Sequence, residues 1–307
     1  MELTRKNLKG SMVALVTPFR KGKLDESALR RLIDFHLANG TDVIVPCGTT
    51  GEAATMSHTE HMGLMSFVVN YVARRVPVIC GAGSNSTEEA FSLIQHAKKC
   101  GASGVLVVTP YYNKPTQEGL FRHFEILAGR VNIPFILYNV PSRTGVSIAP
   151  ETVARLSKIS NIIGIKEASG SLEQASKIIA ACDLVVLSGE DSLTLPLLSV
   201  GARGAISVVA NVKPKEVHDM IEAYLNGNVN QAKKLHYQLF DLAKVLFIET
   251  NPIPVKTALH LMGMIEGELK LPLCEMNQKN LKELQLVLKR QHLLKSQHKN
   301  RKLAQAS

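Results

Sequence analysis

The chain has 307 residues, of which 45% are hydrophobic, 20% charged and 5% aromatic, a composition that excludes a disordered or fibrous protein. The formal net charge is +10. Because the segment after residue 288 has several Lys and Arg and no acidic residue, a solvated basic extension is favoured over a nucleic-acid-binding arm.

Short β-branched apolar runs recur along the first two thirds of the chain. They lie at 12–16, 42–46, 76–80, 104–108, 133–137, 162–166, 184–188 and 204–208. Each interval between them holds a turn and a stretch with helical periodicity, which is the rhythm of repeated βα units. Because eight such units close a barrel, we predict an α/β protein with a TIM (β/α)8 barrel. A doubly wound sheet, built from the same units, is the alternative fold.

The predicted helices carry recognisable end signals. Asp25 opens the first helix and Gly40 ends it. Ser86 and Glu89 have the spacing of a capping box, and Gly101 follows the end of that helix. The local signals therefore agree with the βα rhythm.

After a last barrel helix near 214–225, helical periodicity continues without any further strand signal. The helical segments are expected at 229–248, 254–262 and 277–294. We predict a catalytic barrel at 1–226, a C-terminal helical appendage at 227–295 and a disordered basic tail at 296–307.

Polar residues follow several predicted strands, where barrels of this kind place their active sites. The motif GTTGE (48–52) follows the second strand, TPYYN (109–113) the fourth and YNVPSRTG (138–145) the fifth. The sixth strand ends in GIKEA at 164–168. We therefore expect these four segments to carry the chemistry.

Lys166 lies at the end of the sixth strand, where alternation places it on one face with Gly164 and opposite to Ile165. A lysine on the interior face would favour its neutral amine, which can attack a carbonyl carbon to form a Schiff base. A structural lysine that reaches water at the barrel mouth fits the strand pattern equally well.

Neighbouring residues offer the other groups that Schiff-base chemistry needs. Tyr138 could shuttle protons or simply plug the core. Thr49 and Thr50 could hold a carboxylate or relay a proton, although a lone Gly-Thr-Thr-Gly favours plain turn chemistry. Arg143 could bind a carboxylate through two hydrogen bonds or form a surface ion pair. Glu52 is favoured as an acceptor within its own loop.

Motifs that would indicate other classes of enzyme or a metal site are absent or incomplete. There is no complete dinucleotide loop, Walker lysine, Gly-x-Ser-x-Gly or His-Glu-x-x-His, and the five scattered cysteines indicate neither disulfides nor a zinc site. His58 and His61 lack a third metal ligand, so no metal is predicted. No apolar run approaches the roughly 20 residues of a membrane helix. We expect a cytoplasmic protein that binds neither membrane nor nucleic acid.

Together, these motifs resemble the dihydrodipicolinate synthase family of pyruvate-dependent, class I aldolase-like lyases. The resemblance also includes LSGED (187–191), ISVVAN (206–211) and NPIPVK (251–256). It implies the condensation of pyruvate with L-aspartate 4-semialdehyde in lysine (diaminopimelate) biosynthesis, without a metal or organic cofactor. It also implies a homotetramer built as a dimer of dimers.

The resemblance assigns roles to particular residues. Lys166 would form the Schiff base with pyruvate. The proton relay would consist of Thr49, Tyr138 and Tyr112, the last reaching into the neighbouring subunit's site. Thr50 would hold the pyruvate carboxylate and Arg143 that of the semialdehyde. Residues that would line the site through backbone groups are Gly189 and Ile206.

Family members often bind the end product lysine between subunits. The matching positions here are Ala54, His58, His61, Asn85, Glu89 and Tyr111. Ala53 stands where many lysine-sensitive members carry serine. Two other functions stay open: a sister lyase such as N-acetylneuraminate lyase, against which Arg143 speaks, and a catalytically silent binding barrel, against which the complete set of reactive residues speaks.

Overall fold

Eight parallel strands alternate with helices in the computed structural model, which describes residues 3–294. The strands are β1 Gly10–Ala14, β2 Val43–Val45, β3 Ile79–Gly81, β4 Gly104–Val108, β5 Phe135–Asn139, β6 Ile162–Glu167, β7 Val185–Ser188 and β8 Gly204–Ser207. Each lies within or beside a run predicted from the sequence.

The strands pair in chain order and the sheet closes on itself. Hydrogen-bonded neighbours follow the order β2, β1, β8, β7, β6, β5, β4, β3. A parallel bridge between Ile44 and Val78 then joins β2 to the start of β3. Because the two edge strands meet, the TIM barrel is confirmed and the doubly wound sheet is wrong.

A helix follows each strand and covers the outside of the barrel. These helices are α1 Glu26–Ala38, α2 His58–Val72, α3 Thr87–Lys99, α4 Gln117–Arg130, α5 Pro150–Leu156, α6 Leu172–Ala181, α7 Thr194–Ser199 and α8 Pro214–Leu225. Asp25 caps α1 by accepting from the Ala28 N–H, as predicted. Only one of the two hydrogen bonds of the capping box predicted for α3 is present. The Glu89 N–H donates to Ser86 Oγ, but the Glu89 side chain bonds to Ser84 and His58 instead of the Ser86 N–H.

Two strands begin at least two residues later than the apolar pattern predicted. The predicted runs at 76–80 and 133–137 contain Pro77 and Pro134, and the observed strands start at Ile79 and Phe135. Proline has no N–H to donate to a ladder, so regular pairing begins after it.

Alternation along the strands separates an inner core from an outer one. Met12 and Ile136 belong to the cluster that fills the barrel, whereas Val13 and Leu137 pack outward beneath the helices. Gly164 faces inward, because a side chain there would collide with Leu8.

Three helices follow the barrel: α9 Val229–Val245, α10 Ile253–Leu261 and α11 Gln278–Arg290. α9 packs on α8, and α11 packs on both α9 and α10. The predicted basic tail at 296–307 lies outside the described residues. None of the helices within residues 3–294 combines the length and the apolar character needed to span a bilayer.

Candidate active site

A cavity of about 130 Å³ opens at the carboxyl ends of the barrel strands. The sequence-predicted residues that line it are Thr49, Thr50, Tyr138, Arg143, Lys166, Gly189 and Ile206. They come from five different βα segments, so the barrel brings together groups that are far apart in the chain.

Lys166 ends inside the barrel. Its side chain points to the same face as the inward Gly164, while Ile165 belongs to the outer core. Only 6% of Lys166 is exposed, and its Nζ lies 4.3 Å from the centre of the Tyr138 ring. Among residues 3–294, none of the ion pairs involves Lys166. Alternation left an interior lysine and one that reaches water equally open, and the structure shows the interior position.

Strand register explains why Tyr138 lies beside Lys166. β5 and β6 pair in parallel, with Tyr138 directly opposite Lys166. Both side chains point to the interior because neighbouring residues in register share a face of the sheet. A phenol and an amine consequently border the same small cavity.

Gly189 leaves room for the lysine side chain. A Cβ at this position would lie 2.6 Å from Ala168 Cβ and 3.0 Å from Lys166 Cε. Any larger residue would have to displace the lysine stem or the chain beside it. The sequence resemblance assigned Gly189 a backbone role, and its lack of a side chain accounts for the space around Lys166.

The GTTGE loop is held from both sides. Thr17 Oγ1 donates to the Gly51 carbonyl at 2.7 Å. Asn251 Nδ2 donates to Thr50 Oγ1 at 3.0 Å. Glu52, which has a left-handed φ of 58°, forms an ion pair with Lys256 whose side chains are both fully buried. The prediction that Glu52 accepts within its own loop is wrong for its side chain, because one carboxylate oxygen accepts from Lys256 Nζ and the other from the Lys270 N–H, both in the helical appendage.

Arg143 lies on a single helical turn, Pro141–Thr144, after β5. Its Nη2 donates to the Asn251 carbonyl oxygen at 3.1 Å. The surface ion pair considered from the sequence is absent, since no ion pair within residues 3–294 includes Arg143. The guanidinium borders the cavity instead, where it can bind a carboxylate.

Two acidic residues follow β7 near the cavity. Burial raises the pKa of Glu190, and the Asp191 carboxylate raises it further, whereas the charge of Lys166 opposes both effects. Burial likewise raises the pKa of Asp191, which accepts hydrogen bonds from Ser207 Oγ and the Val208 N–H. The charge of Lys166 acts to lower both pKa values, and by the same attraction an ionised carboxylate here favours a cationic intermediate on the lysine.

Tyr112 does not lie with the other relay residues in this chain. It is 91% exposed, has a left-handed φ of 72°, and does not line the cavity around Lys166. A large aromatic side chain so exposed on a left-handed backbone position is suited to contact another molecule.

A larger cleft of about 560 Å³ adjoins the cavity and shares Thr49, Tyr138 and Arg143 with it. The residues predicted for lysine binding that line this cleft are Ala54, His58, His61, Glu89 and Tyr111. Asn85 does not line it; its carbonyl oxygen accepts from Asn113 Nδ2 at 2.9 Å.

Glu89 is the charged centre of this cleft. Hydrogen bonds from Ser84 and His58 lower its pKa, against the opposing effect of burial. His61 Nε2 donates to the Gly81 carbonyl oxygen at 2.8 Å, and burial lowers the pKa of His61. A neutral imidazole beside an ionised carboxylate gives the cleft a net preference for a cation.

Sequence reasoning missed the two residues that the helical appendage contributes to the cavity wall. Asn251 and Phe247 both line it, although they belong to the helical appendage. Asn251 stood in the NPIPVK motif, but only as part of a resemblance. The signal that could have singled it out is the Asn-Pro pair in the short gap between the helices predicted at 229–248 and 254–262.

Comparison with known proteins settles the family. A model of the dihydrodipicolinate synthetase family matches residues 7–291. The chain belongs to this family. The resemblance drawn from the motifs is therefore confirmed.

Individual members of the family are similar over almost their whole length. The 4-hydroxy-tetrahydrodipicolinate synthase of Syntrophus aciditrophicus is 55% identical over 288 residues, which is 93% of this chain and 99% of the relative. The crystal structure of dihydrodipicolinate synthase from Aquifex aeolicus superposes with a TM-score of 0.92 at 51% identity, covering 93% of this chain and 99% of that one. The family enzyme from Cyanidioschyzon merolae, crystallised with lysine bound, gives a TM-score of 0.90 at 40% identity, covering 93% and 99% of the two chains.

Proposed function

We propose that this chain is a 4-hydroxy-tetrahydrodipicolinate synthase, which condenses pyruvate with L-aspartate 4-semialdehyde in the first committed step of lysine (diaminopimelate) biosynthesis. The observation that carries the proposal is Lys166, a buried amine that borders a small cavity and has no ion-pair partner within residues 3–294. Relatives that match this chain over almost their whole length bear this enzyme's name.

The reaction begins at Lys166. Its neutral amine attacks the ketone carbon of pyruvate, and the resulting carbinolamine loses water to give an iminium. Loss of a proton from the pyruvate methyl group then gives an enamine. Glu190 and Asp191 interact electrostatically with Lys166, and in their ionised form they would stabilise the positive iminium.

The second half joins the two substrates. The enamine carbon attacks the aldehyde of the semialdehyde, which forms the new carbon–carbon bond and regenerates the iminium. The attack of the substrate's own amine on the iminium carbon closes the ring, and expulsion of the Lys166 amine leaves the cyclic imine. The two substrates supply all atoms of the product, one water is released, and the remaining steps need only proton transfer.

The proposed proton relay consists of Thr49, Tyr138 and the Tyr112 of a neighbouring subunit. Tyr138 supports this role because its ring lies against Lys166 Nζ. Thr50 is proposed to bind the pyruvate carboxylate, and Arg143 that of the semialdehyde. Gly189 and Ile206 line the cavity beside the Schiff base.

We propose a homotetramer in which each site is completed by a second subunit. The exposure of Tyr112 supports this arrangement, since no residue within 3–294 of the same chain forms a hydrogen bond with it.

The division into a barrel at 1–226 and an appendage at 227–295 also stays a proposal. Asn251 and Phe247 show that the appendage takes part in the cavity wall.

Lysine is proposed as a feedback inhibitor that binds the cleft around Glu89. An ionised carboxylate can pair with an ammonium group, and Tyr111 offers a neutral hydrogen bond. Millimolar or lower lysine should reduce the initial rate, and Glu89→Gln should weaken the inhibition. Initial rates that stay constant as lysine is added would contradict this proposal.

The function is tested by mixing pyruvate and L-aspartate 4-semialdehyde with the full chain and coupling the product to a dihydrodipicolinate reductase. We expect turnover in the wild type and none above background in Lys166→Ala. Borohydride reduction with pyruvate alone should add one pyruvate-derived mass to the wild type. If the wild type is trapped by pyruvate but gives no condensation, the acceptor is wrong, and cleavage of N-acetylneuraminate is the next assay. No trapping at all would point to a silent barrel.

A further inference from the structure

A buried asparagine from the helical appendage contacts the two groups proposed to bind substrate carboxylates. Asn251 lies between α9 and α10 and is 5% exposed. Its side-chain Nδ2 donates to Thr50 Oγ1 at 3.0 Å, and its main-chain carbonyl oxygen accepts from Arg143 Nη2 at 3.1 Å. One residue outside the barrel therefore contacts both binding groups.

The direction of the first hydrogen bond matters for chemistry. A threonine hydroxyl carries one proton and can accept at its lone pairs. Since Asn251 Nδ2 occupies an acceptor position, the Thr50 hydroxyl keeps its own proton, which has no acceptor within residues 3–294. Thr50 borders the cavity, so this proton is available to a ligand there. A carboxylate binds only to donors.

We propose that Asn251 is a positioning residue that fixes the Thr50 hydroxyl as a donor to the carboxylate of pyruvate. The inference rests on the proposed function, since it concerns the same pyruvate site. It makes the helical appendage a working part of that site instead of a cover for the barrel.

A second contact between the same two segments holds this amide in place. Glu52 lies two residues after Thr50, and Lys256 lies on α10, five residues after Asn251. Their buried ion pair ties the GTTGE loop to the start of α10. Thr17 fixes the loop from the barrel side through the Gly51 carbonyl. Groups held at both ends in this way keep a defined hydrogen-bond geometry.

The test reverses the polarity of the amide. Asn251→Asp keeps the size of the side chain but replaces the Nδ2 donor with an oxygen that only accepts, so Thr50 must turn its proton toward the appendage. The readout is the pyruvate concentration that gives half-maximal borohydride-trapped adduct. We expect it to rise about tenfold or more, because a hydrogen bond to a charged group contributes that much to binding.

Coupling to Thr50 separates positioning from general damage. Thr50→Val removes the hydroxyl, and Asn251→Asp in that background should raise the half-saturating concentration no further. Thr50→Ser, which keeps a hydroxyl, should restore most of the pyruvate binding. Independent effects that multiply in the double variant would overturn the inference.

Two controls complete the design. Asn226→Asp makes the same chemical change at an exposed residue beyond α8 and should leave the adduct curve unchanged. If Asn251→Asp does not fold, Asn251→Ala takes its place: the Thr50 hydroxyl is then free to rotate, and the same lack of additivity with Thr50→Val is expected. Adduct in the wild type with an unchanged curve in the Asn251 variant would overturn this inference alone, whereas no adduct in the wild type would overturn the proposed function with it.

Discussion

Lys166 and Lys256 are both buried lysines, yet they have different surroundings. Each amine lies over an aromatic ring, Lys166 at 4.3 Å from the centre of Tyr138 and Lys256 at 4.5 Å from the centre of Phe19. The aromatic contact therefore does not distinguish them. What differs is a carboxylate: Lys256 pairs with Glu52, whereas Lys166 has no ion-pair partner within residues 3–294.

The comparison shows how pairing separates a structural lysine from a reactive one. Burial lowers the pKa of Lys256, but Glu52 opposes that shift and holds the ammonium form in a fixed contact. An amine engaged in such a pair cannot attack a carbonyl without leaving an unpaired carboxylate behind. Lys166 borders a cavity instead, and although its charge acts on Glu190 and Asp191, neither forms an ion pair with it within residues 3–294.

The largest expected effect follows from replacing the reactive lysine. Lys166→Met should reduce turnover at least about 1,000-fold, because the covalent route is lost. Because Lys166 has no ion-pair partner within residues 3–294, its replacement leaves no buried carboxylate without a counter-charge. The free energy of unfolding of the variant should therefore change by no more than about 1 kcal/mol. Coupled kinetics and chemical denaturation measure the two quantities. A severe loss of stability would remove the distinction between the lysines.

The matched change at the structural lysine should do the reverse. Lys256→Met leaves the Glu52 carboxylate buried with a single remaining partner, the Lys270 N–H at 3.0 Å. We expect a loss of about 3–5 kcal/mol in the free energy of unfolding. Adding Glu52→Gln removes the uncompensated charge and should recover part of that loss. If both single lysine variants are equally stable, the interpretation of the pair is wrong.

A smaller effect should come from the phenol beside the reactive lysine. Tyr138→Phe keeps the ring beneath Lys166 Nζ and removes only the hydroxyl. Turnover should fall about 100-fold, the usual contribution of a positioned proton-transfer group. The thermal midpoint should stay within a few degrees of the wild type, because the ring still packs in the inner core. Wild-type turnover would exclude Tyr138 from the proton relay.

The smallest effect is expected from the basic tail. Tyr138, Phe19 and Glu52, which contact the two lysines, all lie before residue 295. Truncation after residue 294 should therefore leave kcat and both KM values within about twofold, in line with other surface changes. A large loss of activity would give the tail a role that neither lysine site accounts for.

Local patterns in the sequence were enough to predict the barrel. The β-branched runs and the helix signals repeat with one period, and chain connectivity then allows few arrangements. Strand alternation alone placed Lys166 opposite Ile165, and the structure has the two residues on the inner and outer faces. Two strands begin at least two residues later than predicted because Pro77 and Pro134 have no N–H to donate. A pattern of apolar residues carries no information about that missing donor.

Contacts between distant segments were decided only by the tertiary structure. Asn251 and Thr50 are 201 positions apart, and Lys256 and Glu52 are 204 apart. The sequence likewise suggested that Glu89 would close a capping box, whereas Ser84 and His58 compete for its carboxylate once the chain folds. Periodicity fixes which face a side chain takes, because that depends on the local backbone. Which residue that side chain contacts depends on packing across the whole barrel, and so does the difference between a paired lysine and a reactive one.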